Sequence, residues 1–222
     1  MLLTMGVPRE WFRTEVITTT VSTVDPESIY IHFSSLFPAV DYMPASIKIE
    51  VSGRSMSEPV EIVAIKTLIA EQFPTAPYAD AAFSVTAVAA KRTFLEKAFL
   101  LHETFHQQDV PPRVERMSRH LYDLEKMMDT TVETEALADK ALYADIVEFR
   151  RHYIGLRNFD YNTLWPATLS FLPPPEQSEA WDTDYRSMQT NMIPGNSKSY
   201  AELLTRLMEL NRRFSAVVIE NE

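Results

Sequence analysis

Four glycines in 222 residues restrict this chain more than any motif does. Ordinary usage is about 7%. Loops that cradle phosphate need several glycines close together, for positive φ and for close backbone approach. Neither a P-loop nor a dinucleotide fingerprint can be assembled here. Fourteen prolines supply the punctuation instead, and neither an internal repeat nor a low-complexity tract is present.

Other classes fall away for equally simple reasons. With no cysteine there are no disulfides, no thiolate chemistry and no Cys-ligated metal, a pattern that fits a reducing compartment. A formal net charge of −10 disfavours broad attraction to nucleic acid or anionic lipid, although a local basic pocket could hold phosphate. No apolar run approaches the ~20 residues of a membrane span. The start, MLLTMGVPREWFR, meets Pro8, Glu10 and Arg13 too early for a signal peptide. The expectation is a cytoplasmic protein without a membrane partner, with 45% hydrophobic residues to build its core.

Periodicity divides the chain. Thr14–Val21 is rich in β-branched residues, Ile29–Phe33 alternates around His32, and Ser46–Val51 (SIKIEV) puts Ile47, Ile49 and Val51 on one face with Lys48 and Glu50 on the other. Gly53-Arg54 reads as a turn. Val60–Ile65 reads as a short strand, although Ile62–Ala70 fits a helix start equally well. From about Lys91 the period becomes helical: Phe94, Leu95, Ala98, Phe99, Leu101 and Phe105 share a face that Pro111 and Pro112 end. Further helices are expected over Glu115–Met128, Glu133–Tyr153, Trp181–Met188 and Tyr200–Phe214, with Pro173-Pro174-Pro175 as a loop. The fold class is α+β, a β-rich front (1–90) packed on a helical body (91–222).

Two constellations carry chemistry. His102-Glu103-Thr104-Phe105-His106 is an HExxH pattern, which on a helix sets two imidazoles on one face with a glutamate able to act as base in zinc hydrolysis. His120 or Glu125 could be the third ligand. A purely structural role and contact with a phosphate remain alternatives. The second constellation is spread out: Glu50 on its strand, Lys97 at the edge of an apolar helix stripe, and Arg119, His120 and Asp123 in SRHLYDL. Arg119 and Asp123 are four apart and so form a candidate helix pair.

KRTFLEKAFLLHETFH, then RMSRHLYDLEKMM, then DTDYRSMQTNMIPGNSKSYAELLTRLMELN together resemble the AbiEii/AbiGii-type toxins. These are nucleotidyltransferase-like toxic partners in bacterial toxin–antitoxin, abortive-infection and phage-defence pairs. The resemblance runs from about Glu50 to Asn211. It implies a partial nucleotidyltransferase-like front, and transfer of nucleotides from a nucleoside triphosphate to RNA, with tRNA a candidate acceptor and a cognate antitoxin as partner. By position, Glu50 resembles a metal-binding carboxylate for Mg²⁺ and Lys97 a lysine on the triphosphate. Arg119 and Asp123 fall in an arginine–aspartate element where His120 replaces an aspartate. His102 and Glu103 fall in a shared stretch, which moves HExxH toward family architecture.

The front departs from the family. A Gly-Ser or Gly-Gly turn followed by Asp-x-Asp should precede the Glu50 strand, and residues 1–49 contain only Gly6 and no such acidic pair. In the full-length form, in-line attack of an acceptor hydroxyl on the α-phosphorus would use Mg²⁺ held by that pair with Glu50. The expectation is a complete protein beginning upstream of Met1, or a chain inert in transfer that only binds a partner such as the antitoxin. Any RNA contact is expected at a local basic patch such as Lys91-Arg92 or Arg150-Arg151, with solvated helix ends as the alternative reading of both dipeptides.

Overall fold

The computed structural model describes residues 8–17, 27–38, 42, 44–51, 56–77 and 79–219. Among the described residues, the front holds five antiparallel strands in two small sheets. Strands β1 (Phe12–Ile17), β2 (Glu27–Phe33) and β3 (Ser46–Val51) form one in the order β1-β2-β3. Strands β4 (Val60–Ile65) and β5 (Phe83–Val88) form the other, with helix α1 (Leu68–Gln72) between them in sequence. SIKIEV is a strand over its whole expected length. The strand expected over Thr14–Val21 is described as far as Ile17; residues 18–26 lie outside the described ones, as does the Gly53-Arg54 turn. At Ile62–Ala70 both readings hold in part: the strand runs to Ile65 and a helix starts at Leu68. FSVTAV adds β5, a strand beyond those expected from the sequence.

The body contains α2 (Ala90–His106), α3 (Ser118–Met127), α4 (Thr131–Ala138), α5 (Lys140–Phe149), α6 (Ser178–Met192) and α7 (Tyr200–Ser215). The expected apolar face of α2 is buried at Phe94, Leu95, Ala98, Phe99 and Leu101, and Met117, Leu121, Leu124 and Met128 all face inward. Phe214 joins the faces, stacking on Phe94 (5.4 Å) and meeting Phe171 edge-on (5.3 Å). A capping box of Ser199 and Glu202 starts α7.

The single helix expected over Glu133–Tyr153 is in fact two. Asp139 leaves helical backbone (φ −86, ψ 77), and its carboxylate accepts the Leu142 N–H (3.0 Å), ending α4 and capping α5 in one step. A single π-type turn, Arg150–Ile154, then closes at Gly155, whose φ of +56 suits glycine.

Candidate functional site

Alternation in β3 decides which residues share a surface. Lys48 lies opposite Tyr30 and Glu50 opposite Ser28 in the antiparallel register, so Tyr30, Lys48 and Glu50 share one sheet face with Ser46. Facing them is the turn between α2 and α3. Arg113, Arg116 and Arg119 join Tyr30, Pro44, Ser46, Lys48 and Glu50 in lining a groove of about 650 Å³. Four cations thus surround one carboxylate in a chain whose net charge is −10. Lys48 Nζ donates to Glu50 Oε1 at 2.5 Å, and this bond raises the ammonium's pKa. The ammonium also lies 5.8 Å from the Tyr30 ring centroid.

Arg116 ties the turn to the front. Its Nη2 donates to the Tyr42 carbonyl at 2.6 Å and its guanidinium lies over the Tyr42 ring at 4.8 Å. Its own backbone is left-handed, with φ +61. For a residue with a side chain this costs about 1–3 kcal/mol and persists only where the surroundings over-determine it. The turn also explains why α3 starts at Ser118 rather than Glu115.

Lys97, His120 and Asp123 form a second cluster between α2 and α3. Lys97 Nζ donates to Asp123 Oδ2 (2.7 Å) and lies 3.3 Å from His120 Nδ1. Burial first, then the charges of Lys97 and Arg119, push His120 down to about 4, so it is neutral near pH 7. The expected Arg119–Asp123 helix pair is corrected: Asp123 is taken by Lys97 from the neighbouring helix, and Arg119 lines the groove. The structure therefore groups Glu50 with Arg119, and Lys97 with His120 and Asp123.

Within the HExxH stretch His102 and Glu103 are buried and engaged inside the body, whereas His106 is exposed. The Ser170 N–H donates to His102 Nδ1 (2.9 Å), and His102 Nε2 is 2.9 Å from Thr163 Oγ1. Nδ1 also lies 3.0 Å from the Ser170 carbonyl oxygen, and the Thr163 hydroxyl is itself bonded to the Asp160 carbonyl (2.6 Å), so both ring nitrogens are engaged. Burial, then the nearby His106, lowers the His102 pKa to about 4. The His106 ring stacks on it at 4.1 Å. Glu103, the would-be base, is buried in a two-pronged ion pair with Arg150. Glu125 is engaged by Lys198 (2.8 Å).

Each cation of the basic dipeptides expected to meet RNA is paired within the chain. Lys91 pairs with Asp139 (2.7 Å). Arg92 is buried and bonds Glu96 and the Met56 carbonyl, which anchors the front to α2. Arg150 holds Glu103, and Arg151 bonds Glu148 and Asn162. Arg113 and Arg119 are exposed and line the groove, and their scattered spacing in the sequence is that of an ordinary solvated face.

Magnesium fits this donor set poorly. Among the described residues Glu50 is the one carboxylate lining the groove, and it is held by Lys48. Glu15 is paired with His32 (3.0 Å) and Arg13 (3.8 Å). Among the described residues no three His, Asp or Glu side chains gather to hold a metal ion. Among those residues, too, no helix is long and apolar enough to cross a membrane.

A family profile described as nucleotidyl transferase AbiEii toxin, type IV TA system, matches residues 7–215. That likeness begins well ahead of Glu50, where the sequence motifs alone place its start. No curated protein matches the chain.

Proposed function

The chain belongs to the AbiEii nucleotidyl transferase toxin family of type IV toxin–antitoxin systems, and on that basis we propose that its groove binds the phosphates of a nucleoside triphosphate or an RNA end. The observation that carries this reading is the meeting of Lys48, Arg113, Arg116 and Arg119 on one concave surface. Guanidinium groups present paired donors in a planar fork that suits phosphate oxygens. The Tyr30 ring in the same groove offers a base an apolar face.

Within that reading the residues divide their work. Arg113, Arg119 and Lys48 neutralise phosphate charge, while Arg116, clasped to Tyr42, fixes the turn that carries the other two arginines. Glu50 holds Lys48 in place. Lys97, beside neutral His120 and paired with Asp123, is a second cationic centre for a longer phosphate chain. Family membership implies an antitoxin in the same system. The cytoplasm and an RNA acceptor, tRNA among the candidates, belong to the proposal.

Nucleotidyl transfer itself needs clustered carboxylates to place divalent ions, and neither the sequence of residues 1–49 nor the described groove gathers them. We therefore propose that this 222-residue form binds nucleotide without transferring it. The test combines two measurements on the same preparation: binding of a fluorescent ATP analogue, and transfer from nucleotides radiolabelled at the α-phosphate to bulk RNA with Mg²⁺ present. Saturable binding without label in RNA is expected. Label in RNA would show that this form is an active transferase, and absence of binding would overturn the groove.

A further inference from the structure

Arg116 has a left-handed backbone and a side chain committed to Tyr42, so something outside the groove must hold it there. That something is one carboxylate on α6. Asp184 Oδ1 accepts the Arg116 N–H (2.7 Å), while Oδ2 accepts the Ser118 N–H (3.0 Å) and the Ser118 hydroxyl (2.5 Å). Three donors within three residues converge on it. Two of them are backbone groups: the Ser118 N–H in the first turn of α3, which the helix cannot satisfy internally, and the Arg116 N–H just ahead of the N-cap. No side chain of α3's own N-cap does this work.

We propose that Asp184 is the positioning residue of the arginine groove. It sets the backbone of the 116–118 turn, and thereby the reach of Arg113 and Arg119 on either side and the clasp of Arg116 on Tyr42. Two residues beyond Tyr42, Pro44 lines the same groove, and its carbonyl accepts the Ser46 N–H (2.7 Å) where β3 begins. One carboxylate in the body thus governs the spacing between the arginines and the strand that carries Lys48 and Glu50. Asp184 is not among the groove-lining residues, so it acts through the turn and not on the ligand. This inference rests on the reading that the groove binds phosphate.

The test uses the full 222-residue chain and inorganic tripolyphosphate as probe, with affinity measured by calorimetry. Asp184→Asn keeps the shape of the side chain but can accept on only one side. Its affinity is expected to fall about tenfold, the scale of one lost charge-assisted contact. Arg116→Ala should fall similarly, and adding Asp184→Asn to it should cost little more, because both act through one turn. A purely structural role would instead lower thermal stability and give additive losses in affinity. Should Asp184→Asn fail to fold, Ser118→Ala removes only the hydroxyl donor, and a loss of a few-fold that vanishes in the Arg116→Ala background is expected. Unchanged affinity in Asp184→Asn, or in Ser118→Ala where that variant is needed, overturns the positioning role while leaving the groove intact. Additive losses overturn it equally. Failure of the unmodified chain to bind tripolyphosphate overturns the groove reading, and this inference with it.

Discussion

The two halves of this molecule hold their apolar residues in opposite ways. In the body, Trp181, Phe94, Phe99, Phe171 and Phe214 are fully buried and interlock. In the front, one face of the three-stranded sheet presents Val16, Phe33, Ile47, Ile49 and Val51 to solvent, with Ile49 40% exposed and Val16 62%. The groove lies along the seam. Its arginines are set by body contacts, and its Lys48 and Glu50 ride on the loosely covered sheet. Stability is therefore concentrated on one wall of the site, and sensitivity to small changes in position on the other.

The largest effect that would sharpen this contrast is in the body. Glu103 and Arg150 are buried and paired, and removing one partner strands the other's charge. Arg150→Ala should destabilise by about 3–5 kcal/mol, visible as a lower urea transition midpoint at unchanged slope. A loss near zero would mean that the ion pair is solvated and the body looser than described.

Next comes pH. His102 and His120 are both held down to about 4 against an ordinary 6.5, so the unfolded chain binds protons that the folded one refuses. Their contribution is complete above pH 6.5 and is lost as pH falls toward 4. For buried His102 alone, a shift of that size corresponds to about 3 kcal/mol. Thermal melts from neutral pH down to the folded-state pKa should show steep acid destabilisation. His102→Gln should be less stable at neutral pH but flatter across that window. An unchanged slope in that variant would remove His102 as the cause.

How much of this is legible in the sequence follows the same divide. The helical stripes of α2, α3 and α7 can be read because burial of one face imposes a 3.6-residue period, and SIKIEV because alternation does the same for a strand. The break at Asp139 cannot be read, since a capping carboxylate in mid-pattern looks like any polar residue. Glu50 and Arg119 are legible as candidates, yet their company is not. Lys48, Arg113 and Arg116 reach the groove through strand register and a left-handed turn. Neither leaves a spacing signal, and a positive φ at Arg116 gives no warning where glycine is absent. The HExxH spacing suits the stacking of an exposed ring on a buried one as well as it suits zinc, so spacing alone does not separate the two.

A smaller, more pointed effect concerns Glu50. If the groove is an anion site, this carboxylate opposes the ligand while steadying Lys48 (2.5 Å). Glu50→Gln should bind tripolyphosphate about two- to fivefold more tightly without divalent ions, as expected for removing one partly screened repulsion. Were Glu50 instead a magnesium ligand, the same variant would bind a Mg²⁺–triphosphate complex more weakly than the unmodified chain does. Calorimetry with and without Mg²⁺ separates the two, because the sign of the change differs.

The smallest effect tests the front directly, by making one substitution in both halves. Ile49 on β3 is 40% exposed, whereas Ile146 on α5 is fully buried. Threonine keeps the β-branch, so strand and helix preferences change little, and the hydroxyl meets water at one site and apolar neighbours at the other. Ile49→Thr should change unfolding free energy by no more than about 0.5 kcal/mol. Ile146→Thr should cost on the order of 2–3 kcal/mol, from lost burial and an unsatisfied hydroxyl. Equal costs at the two positions would mean that the sheet's apolar face is covered in solution. Whatever covered it would then have to be identified, beginning with the concentration dependence of the Ile49→Thr effect, which a second copy of the chain would produce and an intramolecular contact would not.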